Sequence, residues 1–176
     1  DAAKFAGGMP VVAHPPCRAW SAFTAHQTVD VEPEEMELGI HCCDMLKQNG
    51  GVLEQPAHSR LFQAGSLPEP GDAGSKDLFS LQVDQSWWGY ALKKGTWLCF
   101  SGVDPEFIEL VMPTNRTDIP ESKKLWNTFS KHQRSTTTLW FAEWLCMVAR
   151  ASSKQQTTNN YAGAILQRKK FLGEIQ

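Results

Sequence analysis

The sequence predicts an α/β fold whose sheet is partly parallel and flanked by helices. Three observations carry this. Residues 9–13 form a short apolar run that stops at His14-Pro15-Pro16, a helical pattern fills residues 33–49, and the apolar Gly51-Val52-Leu53 comes directly after it. Strand, helix and strand joined by tight connections make a βαβ unit, whose two strands run parallel. Residues 78–83 and 95–100 are further strand-like runs, and residues 138–150 are apolar nearly all round, as in a helix wedged against a sheet. The 176 residues suffice for one domain with a substantial core.

Each element has its local reason. The prolines at 15 and 16 end the first strand, because they lack the N–H that a ladder needs. Pro33 suits the first turn of a helix, where Glu32, Glu34, Glu35 and Glu37 favour the positive end of the dipole. Met36, Ile40, Cys43 and Leu46 then recur at helical spacing, Lys47 lies near the end, and Asn49-Gly50 supplies the stop. Residues 65–76 are rich in Gly, Pro, Ser and acid and read as a loop. Residues 105–127 have no clear period. The α/β unit is expected to span residues 1–150. Residues 151–176 are expected to form a polar linker and a short C-terminal helix or tail, over 162–175, that carries Arg168, Lys169 and Lys170.

Composition narrows the function. Hydrophobic residues at 41% and charged residues at 20% are globular values. The net charge of −2 excludes an overall polycation, so any nucleic-acid contact must come from a local patch. No apolar run reaches the roughly 20 residues of a membrane helix, and no membrane partner is expected. The five cysteines are odd in number and contain no C-x-x-C. That pattern argues against a disulfide framework and for a reducing, cytoplasmic setting. Adjacent Cys42 and Cys43 are a poor chelating pair, so no metal is expected.

The most informative stretch is P-P-C-R-A-W-S, from Pro15 to Ser21. Ligands of parallel α/β sheets bind at the carboxyl ends of the strands, and Cys17 lies just past such an end. Arg18 there could stabilise a thiolate, the form that acts as a nucleophile. A small buried apolar cysteine is the alternative. His14, next to the thiol, could be a base or a structural residue. Trp87 and Trp88 could stack a base or belong to the core, and Ser59-Arg60 could meet a phosphate.

The Pro15–Ser21 segment resembles the P-P-C-Q-x-F-S motif of DNA cytosine carbon-5 methyltransferases, whose cysteine attacks carbon 6 of a flipped cytosine. Cys17 matches the nucleophile, with Pro16 before it and Ser21 closing the motif, while Arg18 and Trp20 depart from Gln and Phe. Glu54-Gln55-Pro56 is similar to the family's Glu-Asn-Val or Glu-Asn-Pro, whose acid holds the ring N3 and amino group; Gln55 departs from Asn. Residues 88–98, W-G-Y-A-L-K-K-G-T-W-L, resemble Y-G-V-P-Q-R-R-E-R-V-F, retaining Gly89 and two bases as Lys93 and Lys94. Residues 136–145 look like the closing helix of compact phage-encoded relatives. The resemblance covers most of the chain, from about residue 11 to 150.

The resemblance implies a Rossmann-like methyltransferase sheet in an incomplete or minimal version. It implies Cys17 and Glu54 as catalytic residues, Pro16, Arg18, Ser21, Gln55, Lys93 and Lys94 against the substrate, S-adenosylmethionine as methyl donor, and DNA as partner. Two family features have no counterpart. Phe5-Ala6-Gly7-Gly8 mimics the glycine-rich cofactor turn but stands too close to the first strand, so the cofactor half is expected either to be absent or to be built by residues upstream of Asp1, where the chain looks cut. Residues 101–137 are too short for a separate DNA-reading domain by the usual size of roughly 50 residues upward. Thymidylate synthases share a Pro-Cys nucleophile, yet their Q-R-S comes close after it, whereas Gln133-Arg134-Ser135 lies far downstream here. Two further readings stand beside the enzyme: a non-catalytic binding protein that lost the cofactor half, and a modifier of free pyrimidine nucleotides.

Overall fold

The structure is a computed structural model that describes residues 7–21, 31–117 and 119–153. It is an α/β sandwich around a four-stranded mixed sheet of order β1-β2-β4-β3. β1 (Val11–Ala13) pairs parallel with β2 (Gly51–Pro56). β4 (Gly95–Ser101) runs antiparallel to β2 and to β3 (Leu78–Asp84). The expected βαβ unit is therefore present, and its two strands form the one parallel pair of the sheet.

The crossover is α1 (Pro33–Asn49), with Pro33 in its first turn, Glu34 and Glu35 at its positive end and Lys47 at its negative end. Gly50 closes it at φ +76°, donating its N–H to the Leu46 carbonyl at 2.8 Å. Gly51 then turns directly into β2 at φ +115°, and a Cβ there would stand 2.1 Å from the Val11 carbonyl oxygen. Only glycine meets both demands, the left-handed backbone and the contact with β1.

Both faces of the sheet are covered, so β2 and β4 are buried almost throughout and their side chains alternate between two cores. On one face Leu53, Trp97 and Cys99 meet Cys43 and Leu46 of α1 and Leu61 and Phe62 of α2 (Leu61–Ala64). On the other, Val52, Leu98 and Phe100 meet Phe107 and Ile108 of α3 (Pro105–Val111) and Phe141, Trp144 and Leu145 of α6 (Leu139–Arg150). Trp144 stacks on Phe141, tilts against Trp88 and donates its indole N–H to the Val111 carbonyl at 2.9 Å. One expectation needs correction here, and of the two places open to Trp88 the structure selects the core. Met36 is exposed, because the buried face of α1 runs through Gly39, Cys42, Cys43 and Leu46. Gly39 is the reason: Trp20 packs where a Cβ would be, 2.4 Å away. Trp88 is core and has no face to offer a base.

The stretch 105–127, which shows no clear period in the sequence, and the residues that follow it to 135 hold three short helices, each with a side-chain cap, and α3 also buries Phe107, Ile108 and Val111. Asp104 caps α3, Ser122 caps α4 (Lys123–Thr128), and Ser130 with Gln133 forms a capping box on α5 (Lys131–Ser135). The expected helix over 162–175 lies outside the described residues. Among the described residues no helix is long and apolar enough to cross a membrane.

Replacing Gly51 with Ala drives a methyl group into Val11 and strains the backbone. The expected result is a loss of more than about 1 kcal/mol, read as a lowered urea midpoint, with a larger share of the Cys17 thiol open to rapid labelling as β1 detaches.

Candidate active site

β1 and β2 run parallel, so the segments that leave them emerge at the same end of the sheet. β1 leads into His14, Pro15, Pro16 and Cys17. The chain then turns sharply, with the backbone N–H groups of Trp20 and Ser21 both donating to the Cys17 carbonyl, at 3.0 and 2.8 Å. The turn is anchored to β2 by the buried Gln55, which donates to the Pro15 carbonyl at 2.7 Å and accepts from the Ser59 hydroxyl at 3.1 Å. Cys17 itself is exposed.

Glu54 precedes Gln55 on β2 and points to the other face. Its Oε2 lies 3.0 Å from His14 Nδ1, and its Oε1 accepts from Gln85 Nε2 at 3.1 Å. Gln85 opens a single 3-10 turn (Gln85–Trp88) after β3, is fully buried, and also donates to Thr96 Oγ1 at 3.0 Å. Its own Oε1 has no hydrogen-bond partner. That is a cost tolerated in order to keep an amide N–H on Glu54.

The connection from β3 to β4 adds a cation. Asp84 Oδ1 accepts from the backbone of Ser86 at 2.9 Å and of Lys94 at 3.1 Å, pinning both ends of the turn. Lys94 then reaches over the Tyr90 ring, 5.1 Å from its centroid, and donates to the Thr136 carbonyl at 3.0 Å.

Three of these groups act on one another electrostatically. Although the residue is open to solvent on one side, partial desolvation of the sulfur raises the pKa of the Cys17 thiol and the negative charge of Glu54 raises it further; a hydrogen bond to its own backbone and the Lys94 cation pull it back. Burial lowers the pKa of Lys94, while Glu54 and Cys17 oppose that shift. The thiol is thus stored mainly protonated, with a cation close enough to favour the thiolate when the proton leaves.

Of the residues expected at the site, Cys17, Glu54 and Lys94 converge, with half-buried Pro16 directly before the thiol and Ser21 closing its turn. Lys93 is exposed to solvent. Arg18 and Gln55 have other tasks. The Arg18 guanidinium makes two hydrogen bonds to Glu35, at 3.1 and 2.9 Å, and so fastens the turn to α1 instead of serving the thiolate. Gln55 is consumed by the Pro15 carbonyl and Ser59, which leaves it nothing to offer a substrate. Of Ser59 and Arg60, read as able to meet a phosphate, Ser59 is buried and structural, while Arg60 is exposed and donates one hydrogen bond to the Ala19 carbonyl at 3.2 Å. His58 is exposed and packs its ring edge-on to Trp97. The His14–Glu54 pairing is the part a residue pattern hides, since nothing in their 40-residue separation marks them as partners.

A groove of about 410 Å³ runs along residues 10–16 of β1 and its flanks, walled by Leu38, Cys42 and Met45 of α1. It is mainly apolar and shares His14 with the polar cluster. Among the described residues, no group of three or more His, Cys, Asp or Glu is placed to hold a metal ion. Nor do they offer a cradle for S-adenosylmethionine. Gly7 and Gly8 lead straight into β1 and lie against Asn49, whose Oδ1 accepts from the Gly8 N–H at 3.0 Å, so they do not open a helix toward a ligand.

Comparison with protein-family models, with curated proteins and with solved structures finds no match to this chain.

Because Glu54 raises the thiol pKa and Lys94 lowers it, the two variants should move in opposite directions. Iodoacetamide labelling of Cys17 measured against pH should show its midpoint falling in Glu54→Gln and rising in Lys94→Gln. Identical midpoints in the two variants would separate the three residues.

Proposed function

We propose that this chain performs the covalent half of a DNA cytosine carbon-5 methyltransferase-like reaction, with Cys17 as nucleophile and Glu54 as the acid that engages the ring. The observation that supports it is the mutual influence of Cys17, Glu54 and Lys94 at one end of the parallel strand pair.

Once deprotonated, the Cys17 sulfur attacks carbon 6. The C6–S bond forms, the C5=C6 double bond becomes C4=C5, and the electron pair of the C4=N3 bond moves onto N3. N3 takes a proton from Glu54, whose carboxylate must first take one up from solvent and so enters this step as the neutral acid. Carbon 5 is then an enamine carbon able to take an electrophile. As C4=N3 re-forms, the N3 proton returns to Glu54; expulsion of sulfur, with loss of the carbon-5 proton to water, restores the ring. His14 and Gln85 fix the two oxygens of Glu54, and Lys94 offsets the charge on sulfur. S-adenosylmethionine would supply the electrophilic methyl group. The described residues do not form its site.

The covalent step can be read without a methyl donor, because carbon 5 then takes its hydrogen from solvent. Oligonucleotides carrying deuterium at carbon 5 of cytosine should lose the label to water. Cys17→Ser should abolish the loss, and Glu54→Gln should slow it by about 10²–10⁴-fold. Undiminished loss in Cys17→Ser would remove the nucleophile assignment. No loss with the unaltered protein would favour the non-catalytic binding protein. Equal loss from free deoxycytidine monophosphate would favour a nucleotide-level enzyme.

A further inference from the structure

We propose that α4 and α5 form a cradle for the backbone of a single-stranded polynucleotide, lying beside the Cys17 site. The choice of partner rests on the function proposed above, whereas the surface itself is built from residues of α4 and α5 and meets the site only through Lys94 and its neighbours.

Charge is the first part of it. The whole chain carries −2, yet from Ser122 to Thr137 it contains Lys123, Lys124, Lys131 and Arg134 and no Asp or Glu. A cationic stretch on a mildly acidic protein is the local patch that phosphate binding requires. The second part is an aromatic surface. Trp126 is 36% exposed and Leu125 44% exposed, and the Arg134 guanidinium lies over the Trp126 ring, 5.7 Å from its centroid. An indole in solvent beside a stacked guanidinium is suited to hold a base while a cation of the same helix, the exposed Lys124, holds a phosphate.

Location is the third part. Tyr90 donates its hydroxyl hydrogen to the Gln133 carbonyl at 3.1 Å, and Lys94 donates to the Thr136 carbonyl at 3.0 Å. Thr138 Oγ1 donates to the Trp88 carbonyl at 3.0 Å. The C-terminal end of α5 is thereby tied to the connection that also carries Gln85 and Lys94, so a strand held on the cradle passes close to the thiol. Geometry favours a single strand over a duplex. α4 has six residues and α5 five, too short to lie along a major groove, whereas an unpaired base can both stack on Trp126 and enter the site unstacked.

The test is fluorescence anisotropy of a labelled, cytosine-containing single-stranded oligonucleotide with the full chain, between about 50 and 200 mM salt. Affinity should fall with salt, with a log–log slope of about −0.7 per phosphate contact. Lys124→Glu, at an exposed position, should make that slope shallower, and Lys124→Glu/Arg134→Glu shallower again. Trp126→Ala should weaken binding roughly fivefold or more. Cys17→Ser should bind like the unaltered protein. A slope unchanged in Lys124→Glu, or a duplex bound as tightly as the single strand, overturns the cradle. Carbon-5 exchange absent while salt-dependent binding persists would sink the catalytic reading and leave the cradle standing.

Discussion

The pairing of β1 with β2 is the contact on which the rest of the molecule depends. β1 has only three residues, and among the described residues it pairs with a strand on one side alone. It can stay in place because the strand beside it begins at a glycine that lets the two backbones close up, and because Arg18 and Gln55 tie the next turn to α1 and to β2. Antiparallel pairing would send the chain after β1 to the opposite end of the sheet from Glu54. The parallel arrangement, which requires a crossover such as α1, puts sulfur and carboxylate in the same neighbourhood.

The electrostatic arrangement around that neighbourhood has an internal logic. A carboxylate shielded from water is costly unless donors surround it. Glu54 has two, one from a buried amide held by Thr96 and one from a histidine at the rim, and the half-buried lysine adds long-range compensation. The thiol sits at the exposed margin of this group and feels both signs of charge. Such a balance keeps it quiet at rest and makes its behaviour sensitive to any change in the state of the acid.

Much of this was legible in the residue order. Prolines, the Asn-Gly stop and the alternation of apolar residues located β1, α1, β2, β3, β4 and α6, because those elements are defined by local geometry and by burial on one or both faces. The convergence of Cys17 and Glu54 came from strand direction. Side-chain destinations were not legible. Arg18 lies in the loop beyond β1 and could have turned either way; Glu35, in the first turn of α1, decided it. Gln55 alternates with Glu54 along the strand, so it points into the body of the protein, a consequence of the pleat that motif matching overlooks. Gln85 and His14 were invisible as partners of Glu54 because their contacts depend on tertiary closure. α4 and α5, between 123 and 135, lack an apolar stripe and are marked by capping side chains, a weaker signal than periodicity, and the stripe of α3 (Phe107, Ile108 and Val111) is too short to stand out.

β1 also occupies the rim of the sheet, where unpaired amides and carbonyls invite another chain to add on. Its brevity and its bracketing by Pro10, Pro15 and Pro16 answer that hazard, since a proline has no hydrogen to give to an incoming ladder. The same imino acids that stiffen the approach to the sulfur therefore serve as gatekeepers against edge-to-edge aggregation, and replacing them for mechanistic purposes would expose a sticky border along with any change in chemistry.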